Sequence, residues 1–258
     1  MSNAHVHRYI AAGAGARHAY ELNHQRIAGV WAQARPVVAG DAADCYLRGN
    51  GAVPPVQGDW PASLRLHPAL DYWRVARNGI AVREGQFPAL LVLLQIDVFP
   101  HGVHRPAVQH AVALQRIYLT ADGALAPVAS PIKLTGAAGP AQGAAVQLAP
   151  VTAGADTASG WGVAVGVCAA LRIGRATRMP VWAVPDAAAL AHVRWPRGAR
   201  SAHLFIDPRE PAQWQPAAEL ARKANACGLD VYPMAAQLAD VASAAGAPHS
   251  PQITATRL

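Results

Sequence analysis

GWGVAVGVCAALRIGRATRMPVWAVPDAAALAHV, residues 160–193, reads as strand, helix, strand, helix. GWGVAVG (160–166) is a short apolar run, and CAALRIGRATR (168–178) has helical composition. PVWAV (180–184) is a second buried-type strand, and DAAALAHV (186–193) is a short helix opened by an Asp. The alternation continues with SAHLFID (201–207), a third strand ending on a carboxylate. AQWQPAAELARKANACG (212–228) is a helix closed by Gly228, and LDVYPM (229–234) is a fourth strand. Continuously apolar strands alternating with helices predict a parallel sheet covered on both faces, an α/β unit. In such sheets ligands sit outside the carboxyl ends of the strands, which directs attention to Val165 and to Asp207–Arg209.

Outward from this unit, 258 residues with 52% hydrophobic content suffice for one large or two small cores. The formal net charge is +7. Lys133 and Lys223 are the only lysines, so nearly all the positive charge is Arg. An Arg-rich basic chain suits phosphate or nucleic acid, and a compositional bias toward Ala, Arg, Gly and Pro gives the same excess. Cys45, Cys168 and Cys227 are far apart and form no C-x-x-C pair, which argues against a zinc ribbon and against a disulfide framework. No run is long enough to span a bilayer and no apolar leader opens the chain, so the reading is a cytoplasmic protein without a membrane partner.

Residues 5–35 predict a helix whose intermittent apolar face includes Tyr20, Ile27, Val30 and Trp31. It is either an amphipathic helix docked on the body or a nucleic-acid arm. Pro36 stops it, and Asp41 caps a short helix, AADCYLRGNG, that ends at Gly49 and Gly51. SLRLHPALDYW (63–73) is extended and is expected to break at Pro68. FPALLVLLQIDV (87–98) is the strongest strand signal of this half, and AVALQRIYLT (111–120) alternates as a strand. Ala121, Asp122 and Gly123 then supply hairpin chemistry, and two further extended pieces contain PIKLTG and GAAVQLAP. The expected organisation is a helical lead (1–40), an α+β module with an antiparallel sheet (41–150), the parallel unit (151–240) and a flexible tail (241–258). A short Ala-rich helix is expected after Met234.

Several chemistries lack their motifs. No G-x-x-x-x-G-K-[ST] and no G-x-S-x-G occurs. His101-x-x-His104, with His110 and Asp97 nearby, reads as a zinc site or as loop histidines. Cys168 opens a helix after a strand, a place that stabilises thiolates, but no His lies nearby in sequence and the reading is a helix-packing residue.

The order of segments WAQARPV, DCYLRGNG, LRLHPALDYW, FPALLVLL, IYLTADG, PIKLTG and GAAVQLAP, then WGVAVGVCAAL, PVWAV and LFIDPRE, resembles the Toprim-containing primase-like proteins of phages, plasmids and integrative elements. The resemblance implies a Toprim fold, a four-stranded parallel sheet between helices, preceded by an α+β module. It also implies Mg²⁺-dependent phosphoryl transfer by a Glu at the end of the first strand and an Asp-x-Asp at the end of the third. Hard divalent ions need several oxygen ligands, and phosphate chemistry needs the ion's charge. Where the family's first strand reads V-A-E-G-I-E-T-A-L, this chain has Val165 and Cys168 in the acidic positions. Asp207 stands alone at the third strand, with Arg209 in place of the second Asp.

A degenerate site of this kind predicts a catalytically silent protein that binds DNA or a replication or conjugation partner, with no cofactor. The alternatives are a nucleotidyltransferase or nuclease holding Mg²⁺ on Asp207 with help from Glu210 or Asp186, and a protein-interaction adaptor. The bland role for Asp186 is the N-cap of the next helix. Candidate nucleic-acid contacts are Arg172, Arg175 and Arg178, then Arg194, Arg197 and Arg200, each set recurring at every third residue, together with Arg116, Lys133 and Arg209.

Overall fold

The computed structural model describes residues 14–54, 59–98, 108–150, 160–196, 199–236 and 253–255. Helix α1 (Ala14–Ala32) leads into a two-residue strand β1 (Arg35–Pro36) and helix α2 (Ala42–Gly49). Strands β2 (Leu64–Val75), β3 (Ala81–Val98), β4 (Val108–Tyr118) and β5 (Ile132–Leu134) complete an antiparallel sheet of order β1-β2-β3-β4-β5. The second half alternates as predicted: β6 (Trp161–Val165), α3 (Val167–Thr177), β7 (Val181–Val184), α4 (Ala187–Leu190), β8 (Ser201–Ile206), a 3₁₀ turn (Pro211–Gln213), α5 (Trp214–Asn225) and β9 (Asp230–Ala236). Strands β9-β8-β6-β7 are parallel neighbours in that order. Part of the tail read as flexible, Ile253–Ala255, forms strand β10, antiparallel on the outer side of β9. The helix expected after Met234 falls mostly outside the described residues, and β9 continues to Ala236.

Local chemistry accounts for the boundaries. Asp41 caps α2, its side chain accepting from Asp44 N at 2.9 Å. The helix stops where Gly51 takes a φ of 75°. Pro68 does not break its strand. β2 runs through it with a bulge: His67 pairs with Ala89 and Leu70 with Phe87, so Pro68 and Ala69 lie opposite Pro88 alone. A bulge leaves ladder positions unpaired, which is where a residue lacking an N–H is tolerated.

The run ALLVLL of β3 is apolar on both faces because both faces are covered. Leu90, Val92, Leu94 and Ile96 join a core shared with Leu47 of α2, Leu171 and Ile173 of α3, and Val181 of β7. Ala89 and Leu91 face the other way, into a cluster with Ile27 of α1, Tyr72 and Tyr118. Leu90, Leu91 and Val92 are each 0% exposed, and each such side chain contributes at most about 2–3 kcal/mol of burial.

The two sheets are also stitched by backbone. Ala145 exchanges hydrogen bonds with Gln95 of β3 (2.9 and 3.1 Å), and the next residue, Val146, exchanges them with Ala183 of β7 (2.7 and 3.0 Å). Among the described residues no helix is long and apolar enough to cross a membrane.

Candidate functional site

The carboxyl ends of the parallel strands carry the residues of interest. Asp207 follows β8, and its main chain is fixed by a tight turn: Glu210 N donates to Asp207 O (3.0 Å), and Asp207 N donates to the buried Gln213 side chain (3.2 Å). Arg209 closes on the carboxylate three times. Its backbone N and its Nε each donate to Oδ1 at 3.0 Å, and Nη2 donates to Oδ2 at 2.8 Å. The Asp207 side chain is 12% exposed and that of Arg209 61%. The hydrogen bonds from Arg209 hold the Asp207 carboxyl below the usual carboxylate range despite partial burial.

Val165 ends β6, and Gly166 turns the chain into α3 with a φ of 85° and no side-chain cap. Cys168 lies in the first turn of α3. Burial pushes its thiol up to about 11, only partly countered by the Arg172 charge. It is a packed thiol, not an activated one. Tyr46 of α2 lies beside it, its phenol pushed up to about 12 chiefly by burial. Arg172 sits one turn further along α3, half-buried, within electrostatic reach of Cys168, Arg209 and Asp207. A Cβ at Gly51 would lie 3.4 Å from its Nε and 3.7 Å from its Cζ. The Arg172 Nε and Nη2 atoms are buried and have no hydrogen-bond partner among the described residues.

A magnesium ion does not fit these residues. The Val165 side chain at the end of β6 offers no oxygen ligand, and Arg209 takes both oxygens of Asp207. Asp186 is the N-cap of α4, its Oδ1 accepting from Ala189 N at 2.8 Å. Glu210 precedes the 3₁₀ turn and its side chain makes no capping bond. Among the described residues no group of three or more His, Cys, Asp or Glu is placed to hold a metal ion. His101 and His104 lie outside the described residues.

The basic residues read as one set separate into several places. Arg172 and Arg209 meet at the carboxyl ends of the strands. Arg178 precedes β7 and Arg200 precedes β8, so both stand at the opposite, amino ends. Arg178 holds the left-handed C-cap of α3 with a φ of 55°. The Arg175 guanidinium donates to Pro54 O at 3.4 Å, and Arg194 N donates to Gly143 O at 3.2 Å. Arg197 is outside the described residues.

Arg116 and Lys133 are direct cross-strand partners on β4 and β5, on the face of the antiparallel sheet turned toward α1. Lys133 Nζ stands 3.8 Å over the Tyr72 ring, and Arg116 Nη1 donates to Tyr118 Oη at 3.5 Å. Two like charges placed opposite each other repel, so aromatic and carbonyl contacts are what hold this pair.

Sequence reading did not connect Gly51, Tyr46 and Gln213 with the strand ends. Gly49 and Gly51 signalled a helix stop, but nothing in them signalled the helix against which Gly51 packs.

A model described as a domain of unknown function (DUF7146) matches residues 21–148. That span runs from α1 to the stitch at Ala145 and Val146 and ends before the parallel strands begin. Comparison with curated proteins and with solved structures finds no match.

Proposed function

We propose that this chain is a Toprim-like protein without catalytic activity that binds DNA, in the setting of replication or conjugation of a mobile element. One observation carries the reading: both oxygens of Asp207 are occupied by the Arg209 fork, at a strand end that offers Val165 in place of a second carboxylate. A guanidinium beside a single neutralised carboxylate attracts phosphate oxygens and repels divalent cations. The parallel strand order and the sequence resemblance support the frame. Arg172, with two donors unused, adds cationic character to the same end.

Fluorescence anisotropy with single- and double-stranded DNA tests this reading. With about three phosphates neutralised, log K falls against log salt with a slope of about −2 to −3. Arg209→Ala reduces that slope by about one. No binding of either DNA at low salt overturns the proposal.

A further inference from the structure

Two arginines share the carboxyl end of the parallel sheet with one carboxylate. Arg209 presents Nε and Nη2 to Asp207 as a two-pronged fork, with bonds of 3.0 and 2.8 Å. Arg172 has the same two atoms, Nε and Nη2, buried, and neither has a hydrogen-bond partner among the described residues. These atoms are the edge by which a guanidinium grips a carboxylate or phosphate bidentately. Leaving a charged donor pair buried and unpaired is costly, so the pair calls for a partner: an ordered water, an ion or a ligand.

The surroundings say what kind of ligand. Asp207 is within electrostatic reach but already spent on Arg209. Cys168 and Tyr46 stay protonated, because burial pushes both up, to about 11 and about 12. None of these three side chains therefore competes as a free anion for the fork. Gly51, at a φ of 75°, packs directly against this guanidinium, so that an added Cβ would already stand 3.4 Å from Nε. The amino end of α3, without a side-chain cap, lies at the same strand ends.

We propose that the Nε–Nη2 edge of Arg172, flanked by Arg209 and Gly51, is a binding site for a terminal phosphate monoester. A phosphate inside a chain carries a sugar on either side, whereas the Nε–Nη2 edge of Arg172 is buried beside Gly51. A terminal phosphate reaches such a position end-on and brings the larger negative charge. This inference rests on the reading of the strand end as a phosphate-binding surface and narrows it to the end of a nucleic acid or to a free nucleotide.

The test compares one short oligonucleotide carrying a 5′-phosphate with its 5′-hydroxyl twin. In parallel, the thermal stability of the full chain is followed with inorganic phosphate against chloride and acetate at matched ionic strength. The phosphorylated strand is expected to bind about ten- to a hundredfold tighter than its twin. Inorganic phosphate, unlike acetate, raises the Tm.

Arg172→Gln and Arg172→Lys each abolish both differences; the second keeps the charge and loses the fork. In chloride alone Arg172→Gln is at least as stable as the native chain, because it removes an unpaired buried charge. Phosphate protection of the native chain alone, with neither oligonucleotide bound, supports the site as one for free phosphomonoesters and refutes DNA binding. Equal binding of the two oligonucleotides, with phosphate acting alike on the native chain and both variants, overturns the site and leaves DNA binding standing.

Discussion

Asp44→Ala is the substitution that tests how α2 is held to the loop before β2. The Asp44 carboxylate is 4% exposed and accepts three bonds: from Gly40 N at 2.9 Å, from Arg48 Nε at 2.8 Å and from Trp60 Nε1 at 2.8 Å. Burial alone would raise its pKa, but these bonds outweigh burial and lower it. Alanine leaves the indole N–H of Trp60 inside the protein without an acceptor, which costs about 1–3 kcal/mol. Gly40 N loses its acceptor just before the start of α2, worth about 1 kcal/mol. The Arg48 side chain is 47% exposed and turns to water at little cost.

The expected loss is about 2–4 kcal/mol, or about 4–16 °C in Tm for a chain of this size. Urea unfolding followed by circular dichroism reads it as a lower midpoint at unchanged slope. Trp60→Phe removes the donor that Asp44→Ala strands, so the double variant is less destabilised than the sum of the singles, by about 1–2 kcal/mol. A loss below about 1 kcal/mol for Asp44→Ala, or strict additivity of the pair, refutes the account of this carboxylate as the hub joining α2 to the loop before β2.

Three further outcomes are expected. At Gly123, where φ is 85° and an added Cβ would lie 2.5 Å from Cys45 Cβ and 2.8 Å from Tyr46 N, Gly123→Ala costs about 2–4 kcal/mol by chemical denaturation. An unchanged midpoint would mean that the 120–123 turn does not press on α2. Thiol labelling at neutral pH modifies the exposed Cys227 first and Cys168 last. Because burial pushes the Cys168 thiol up to about 11, its contribution to stability is full below the unfolded value of about 8.5 and is lost as pH rises from there toward the folded value. Rapid labelling of native Cys168 at neutral pH would contradict the packed assignment. Finally, Val165→Glu combined with Arg209→Asp places oxygen donors at both strand ends and is expected to gain Mn²⁺ binding by calorimetry over the native chain and either single variant. No gain in the double variant counts against a Toprim-like arrangement of these strand ends.

The parallel half was legible because each of its strands is a short apolar run set between helical segments, a pattern that leaves few sheet topologies. Asp186 and Asp41 were legible as caps because capping is a local event. The rest was not, and the reasons differ. Pro68 looked like a break because the residue opposite it, Pro88, is invisible until the register is known. The stitch at Ala145 and Val146 is two residues long, too short to carry a period. Spacing at every third residue grouped Arg172 with Arg178, and Arg200 with its neighbours, yet a helix or loop that runs from one edge of a sheet to the other separates such residues. The pairing of Arg116 with Lys133 depends on strand register, which composition does not encode. That Gly51 lies against Arg172 is a contact between the two halves of the chain, and no local signal announces it.

What the strand end can do follows from the difference between a guanidinium and a metal ion. A divalent ion bound by carboxylates draws in phosphate, polarises it and lowers the pKa of a bound water, so the ligand set that binds the substrate also activates its attacker. A guanidinium supplies only the first of these functions. It neutralises charge and orients two oxygens through a rigid fork, and it stays protonated, so it neither accepts a proton nor exchanges a ligand. With Val165 at one strand end, Asp207 held by Arg209 at the next and Cys168 kept as a neutral thiol, none of these side chains is a free base or a ready nucleophile. A phosphate gripped by Arg172 would therefore be held without being turned over. Adding carboxylates is then a change of chemistry and not a repair of affinity, and the Val165→Glu, Arg209→Asp pair separates the two: it should gain metal while losing part of the metal-free affinity for phosphate that Arg209 supplies.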